Sequence, residues 1–305
     1  MPASRAAPKT LTIGSRGSQL ALWQARHVAS RLEQLGAATR IEIIKTTGDR
    51  LQTASLIEAG GKGLFTKEIE EALLAGVIDI AVHSLKDLPA ETPSGLVIAA
   101  IPEREDPRDA LIGRRLNDLP NGARVGTSSS RRAAQLLHLR PDLRTQPIRG
   151  NVDTRLRKSK TAEYDAIVLA VAGLRRLRLD NEITEVLSPD QMCPAAGQGA
   201  LAIETRADDP ARDLCVALNH EPTSRAVTCE RAVLAALGGG CQLPLGAFAH
   251  LRDDLLHVLA VVVSPDGSKY LKATAASRDD SETLGRAVAE DLLSKGARSI
   301  LAASK

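Results

Sequence analysis

Two short stretches carry side chains whose setting suits them to chemistry. The first is HSLKDLP at 83–89, where an apolar run, VIDIAVHS at 77–84, leads straight into Ser84, Lys86 and Asp87. Polar groups at the C-terminal end of a buried strand sit where open α/β sheets bind ligands. Asp87 is the only carboxylate of the heptad. It either holds a developing cation and shuttles a proton, or pairs with Lys86 and caps a turn; spacing alone leaves both readings open. The second stretch is GGGCQLPLG at 238–246. A cysteine among three glycines belongs to an exposed loop, from which its thiol can reach into a cleft and be held as thiolate by nearby arginines. Cys241 therefore reads as a nucleophile or an attachment point. No catalytic histidine motif accompanies it, which disfavours a Cys–His protease.

A third set is cationic. Ser15 and Ser18 with Arg16, and Thr127, Ser128, Ser129 and Ser130 with Arg131 and Arg132, crowd two expected helix starts. Simple N-capping accounts for one hydroxyl per helix. Several hydroxyls beside arginines favour an anion held at the exposed N–H groups. Arg149, Arg155, Arg175 and Arg176 follow, with Arg157 and Arg178 read as lying on a solvated helix face. From Arg124 to Arg178 there are 13 Lys or Arg against 4 Asp or Glu, inside a chain whose net charge is only +3. So local a basic field asks for an anionic partner. Arginine's planar fork suits carboxylates.

The elements that must position these residues follow from periodicity. Strands are expected at 10–15, 40–46 and 77–84, and helices at 18–35, 66–75, 224–237 and 281–293. Strands alternating with helices predict a parallel α/β sheet. The stretch TGDRLQTASLIEAGGKG at 47–63 reads as a mobile flap. IGSRGSQLA at 13–21 is echoed by VGTSSSRRA at 125–133, and IDIAVHSLKDL by YDAIVLAVAGL at 164–174. The echoes predict two similar α/β lobes around a hinged cleft, of the periplasmic-binding-protein type, and a small C-terminal α+β domain with a turn at SPDG, 264–267. Lobe 1 is expected at 10–103 with 201–219, lobe 2 at 104–200, and the C-terminal domain at 221–305. The chain should cross between lobes near 100–105 and 194–201.

Composition narrows the function. The 305 residues include one Trp, two Tyr and two Phe, too few to stack bases, and no nucleic-acid motif is present. No apolar run spans a bilayer, and residues 1–9 lack a secretory core and read as a disordered tail. Cys193, Cys215 and Cys229 read as small buried hydrophobes, no metal site is expected, and reduced thiols suggest the cytoplasm. A two-lobed carboxylate-binding or ligand-sensing module without catalysis is the rival reading. It explains the arginines, but not Asp87 and Cys241 together.

GSRGSQLALWQA at 14–25, GGKGLFTKEIEEALL at 60–74, HSLKDLP, VGTSSSRRAAQL at 125–136, IRGNVDTRL at 148–156, AGLRRL at 172–177, CPAAGQGALAIE at 193–204 and GGGCQLPLG all resemble motifs of the porphobilinogen deaminase family, in its order and spacing. The resemblance implies a transferase that joins four porphobilinogen units head to tail, releases ammonia at each step, and hydrolyses the product to hydroxymethylbilane. It implies a dipyrromethane cofactor on Cys241 through a thioether, and Asp87 as the catalytic group that steadies the azafulvenium cation left by ammonia loss. Arg16, Ser18, Ser84, Lys86, Thr127, Ser129, Arg131, Arg132, Arg149, Arg155, Arg176 and Gln198 match cofactor and substrate contacts. Lys62 and Phe65 match the flap. The family also implies a monomer, with a hand-off of product to uroporphyrinogen-III synthase.

Overall fold

The computed structural model describes residues 10–47, 66–89, 91–239 and 243–303. β1 (Leu11–Ser15) runs into α1 (Gln19–Gln34), which begins where the Ser18 hydroxyl accepts from the Ala21 N–H at 3.3 Å. Ala21, Ala25, Val28 and Leu32 recur at helical spacing and are buried against the sheet. Gly36, at φ 90°, closes the helix. β2 (Thr39–Ile43), α2 (Lys67–Leu74), β3 (Ile80–Ser84) and β4 (Leu96–Ala100) complete the first pass.

The second pass repeats the first. β5 (Asp109–Ile112) is followed by β6 (Arg124–Gly126), α3 (Ser130–Leu139), β7 (Arg144–Gln146), α4 (Val152–Ser159), β8 (Ala166–Ala170), α5 (Val171–Arg176) and β9 (Glu185–Val186). The chain then returns through β10 (Leu201–Arg206) into the first sheet. The first sheet has the order β2-β1-β3-β10-β4 and the second β7-β6-β8-β5-β9. Strand for strand these orders correspond: the first sequence echo falls on the matching units β1–α1 and β6–α3, and the second on the matching strands β3 and β8, the one followed by a 3-10 turn and the other by α5.

The sheets are mixed, which corrects the expectation of a parallel one. β10 is antiparallel to β3 and β4, and β5 is antiparallel to β8 and β9. In each sheet the reversed strand is the one that arrives from the other lobe. Its direction is set by the crossover rather than by a packed βαβ connection.

After α6 (Ala211–Val216), a third unit joins α7 (Glu221–Ala236), the antiparallel sheet β11 (Leu245–Arg252), β12 (Leu255–Val263) and β13 (Tyr270–Ser277), α8 (Ser281–Ser294) and α9 (Ala297–Ala302). Its core packs Val233, Leu245, Leu256, Val288 and Leu292. The last helix, α9, was not foreseen. The expected strand at 40–46 stops at Ile43. No described helix is long and apolar enough to cross a membrane. Cys193, Cys215 and Cys229 are buried free thiols, and burial pushes the last two up to about 12.

Candidate active site

β3 is buried along Ile80–His83 and ends at Ser84, after which Leu85–Asp87 form a single 3-10 turn. The turn is pinned from below: Leu85 is buried, and its N–H donates to the Ala200 carbonyl at 3.0 Å. Asp87 stands exposed at its end. Lys86 is half-buried, and its Nζ donates to Gln198 Oε1 at 3.4 Å. Burial lowers the Lys86 ammonium to about 8, helped by Arg132 and Arg131 and opposed by Asp87 and Asp109.

Behind Lys86 lies a closed network. Gln198 Nε2 donates to the Pro107 carbonyl at 2.6 Å and to Asp109 Oδ1 at 2.9 Å. Asp109 has no exposed surface and is paired with Arg131 at 2.8 Å and Arg132 at 2.7 Å. Burial alone would raise the Asp109 carboxyl, but the two guanidiniums outweigh it and hold it well below the usual carboxylate range. Two buried cations thus share one carboxylate, leaving one positive charge in excess. Arg131 is further spent on the Cys193 carbonyl at 2.6 Å, whereas Arg132 also borders a cavity.

That cavity, of about 100 Å³, is walled by Ser84, Lys86, Arg132, Arg155 and Arg176 together with Leu20 and Val152. Arg155 Nε donates to the Gly150 carbonyl at 2.7 Å. Burial lowers its guanidinium to about 10, with Arg132 and Arg149 lowering and Asp87 raising. Arg176 is 7% exposed, donates to the Gly199 carbonyl at 2.7 Å and lies 5.6 Å from the Trp23 ring centre. Burial takes it to about 10 as well, and its Nε is buried with no hydrogen-bond partner among the described residues. Gly199 itself sits at φ +87°, and a Cβ there would fall 2.3 Å from the Glu105 carbonyl oxygen.

The hydroxyl-rich turns divide their work. Ser129 caps α3 through the Arg132 N–H at 3.4 Å, and Thr127 Oγ1 accepts from the Ser129 N–H at 3.1 Å. Ser128 is tied to both backbone groups of Ile148, at 2.9 and 3.1 Å. Capping and sheet-linking therefore use more of these hydroxyls than expected. Arg16 and Arg149 are half-buried. Arg178, expected on a helix face, lies beyond the end of α5 at φ 58°. Lys62, Phe65 and Cys241 lie outside the described residues, as does the expected flap beyond Thr47.

Three contributors were missed. Gln24 is buried on α1 and donates to Ser84 Oγ at 2.9 Å. Its signal was its place on the apolar face of α1. Asp109 opens an apolar strand and carried no local partner to flag it. Glu230, fully buried on α7, takes Arg104 at 2.6 and 3.1 Å, the Gly197 N–H at 2.6 Å and the Ala249 N–H at 2.7 Å. It ties both crossovers to the third unit, and Arg104 Nε also donates to the Gln198 carbonyl at 2.7 Å.

Residues 11–213 match the family model described as porphobilinogen deaminase, dipyromethane cofactor binding domain, and residues 224–294 match the porphobilinogen deaminase C-terminal domain. The chain belongs to the porphobilinogen deaminase family. A porphobilinogen deaminase of Pelobacter propionicus is 50% identical over 300 residues, covering 96% of this chain and 97% of that one. That of Thermus thermophilus is 51% identical over 302 residues, covering 96% and 99%. Among solved structures, an ABC-transporter periplasmic substrate-binding protein of Coxiella burnetii aligns over 72% of this chain and 96% of its own. Its TM-score is 0.43 and its identity 14%. A YaeC-family lipoprotein of Enterococcus faecalis covers 68% and 89%, at TM-score 0.39 and 13% identity. Membership of the porphobilinogen deaminase family makes the chain a transferase of tetrapyrrole biosynthesis with dipyrromethane as cofactor. The charge of the cavity's lining, rather than its volume, suits that group. Four cationic side chains surround it, one with a buried N–H that has no hydrogen-bond partner among the described residues, and a pyrrole cofactor bearing acetate and propionate groups brings carboxylates to them.

Proposed function

We propose that the cavity between the two lobes is where porphobilinogen units are added, with Asp87 as the catalytic group and Cys241 as the point of attachment. The observation that carries this is the convergence of Lys86, Arg132, Arg155 and Arg176 on one cavity, with Asp87 within the electrostatic reach of Lys86 and Arg155. Dipyrromethane, held on the Cys241 sulfur, supplies the pyrrole carbon from which the chain starts. Asp87 accepts a hydrogen bond from the substrate's pyrrole N–H and balances the positive charge that develops on the ring as ammonia departs. The same carboxylate takes up the proton that the ring sheds when the new bond has formed. Lys86, Arg132, Arg155 and Arg176 bind acetate and propionate groups of the rings, each such contact contributing about 1.5–3 kcal/mol when sheltered from water.

Arg16, Ser18, Arg149, Ser84, Thr127 and Ser129 extend that set at the cleft walls. Gln198 orients Lys86, and Arg131 supports Arg132 through Asp109. Lys62 and Phe65 belong to a flap over the cleft. Lobe 1 comprises 10–103 with 201–219, lobe 2 104–200, and the C-terminal domain 221–305. The enzyme works as a cytoplasmic monomer and passes hydroxymethylbilane to uroporphyrinogen-III synthase, a reading supported by the family alone.

The test is the intact mass of the denatured protein beside Cys241→Ser. The wild type should carry added mass that the variant lacks. Bare wild type that stays bare after incubation with porphobilinogen would sink the assignment and favour a binding module.

A further inference from the structure

Arg176 belongs to two spaces at once. On its inner side is the 100 Å³ cavity; on its outer side is an open groove of about 570 Å³ between α1 and the end of α5. The groove is floored by Trp23, Leu22 and Leu177 and rimmed by Arg26, Arg176 and Arg178, and no carboxylate lines it among the described residues. Arg26 and Arg178 are exposed and make no ion pair among the described residues. Arg178 stands at the left-handed position that closes α5: its N–H reaches the Arg175 carbonyl at 2.9 Å, and the Leu179 N–H reaches that of Leu174 at 2.9 Å. Glycine takes that position without steric cost. A strained arginine there, turned to a groove already rich in positive charge, asks for an anion.

Small-molecule sites commonly run to about 300–1,000 Å³. The inner cavity falls short of that range, while a product of four carboxylated rings needs far more room; the outer groove lies within it. We propose that this groove is an outer subsite for pyrrole rings bearing acetate and propionate groups, filled in the later steps of chain growth. Rings lie against Leu22, Leu177 and the part of Trp23 left open beside its stacking partner His27 and Arg176, and Arg26 and Arg178 take the carboxylates. The inference rests on the enzyme reading given above.

The test is an Arg26→Gln/Arg178→Gly holoenzyme mixed with limiting porphobilinogen and quenched for intact-mass analysis of the added rings. Arg178→Gly relieves the backbone, so the melting temperature should hold or rise. The third and fourth additions should slow about tenfold while the first two keep the wild-type rate. Equal slowing of all four, with a raised KM at unchanged kcat, would keep the subsite and assign it to free porphobilinogen. An unchanged ladder with unchanged KM would overturn the proposal. A wild type that shows no ladder at all would instead overturn the enzyme reading.

Discussion

Replacing Asp109 with asparagine takes one negative charge from a place where its two partners are themselves sealed from water. Arg131 and Arg132 are 4% and 6% exposed, and their ion pairs with Asp109 are 2.8 and 2.7 Å long. Opening a buried pair from one side costs about 3–5 kcal/mol, because the stranded charge has nowhere to go. With a urea dependence of about 1–3 kcal/mol per molar for a unit of this size, the second lobe should unfold at about 2 M lower urea. The chain's only tryptophan, Trp23, lies on α1 in the first lobe, so its fluorescence watches the wrong place. Hydrogen exchange at the amides of α3 and β8, followed through a urea series, watches the right one. Acid provides a second reading. Because the folded carboxyl is held below its unfolded value of about 3.9, its stabilisation is complete above that value and is lost as pH falls through the folded one. Asp109→Asn should lack that share of the acid loss. Equal urea midpoints and equal protection in variant and wild type would refute the reasoning outright.

Two further outcomes follow from the same geometry. Lys86 titrates near 8, so its charge is present below that pH and lost above it; the KM for porphobilinogen should rise through pH 8–9 in the wild type and stay flat in Lys86→Arg. Superimposable profiles would place the alkaline limb on another group. Glu230→Gln should destabilise the protein by about 3–5 kcal/mol by stranding Arg104, and Arg104→Met/Glu230→Gln, which removes the stranded charge and keeps a side-chain oxygen for the backbone N–H groups, should recover part of that loss. Calorimetry that finds the double variant no better than the single one would show that the stranded charge is not the cause.

What was legible in the chain was local or repeated. The Ser18 cap, the apolar stripe of α1 and its Gly36 stop are written within one short stretch of chain, and the two sequence echoes predicted twin lobes that the sheet orders reproduce. Strand direction was not legible, because β5 and β10 run as they do only by virtue of where the chain has come from. The arginines were found, but not how they are divided. Arg131 and Arg132 share a carboxylate some twenty residues away, and nothing near Asp109 in sequence marks it as their partner. Arg178 was misplaced because its neighbours scan as helix, while the backbone turns left-handed one residue after the cap. Cys241 was legible among its glycines as a nucleophile or an attachment point, and dipyrromethane as the group attached there only through resemblance to the porphobilinogen deaminase family.

The two crossovers do more than connect. They run side by side and are stitched together, with the Glu105 N–H on the Gly199 carbonyl at 3.2 Å, Gln198 on Pro107, and Arg104 on Gln198. A single strap between two bodies behaves as a ball joint, free to bend and to twist. Two stitched straps behave as a flexure, which yields about one axis and resists torsion and shear. Asp87 and Lys86 ride on one jaw, Arg132, Arg155 and Arg176 on the other. Jaws joined in that way can part and close again without Asp87 and Lys86 sliding out of line with Arg132, Arg155 and Arg176.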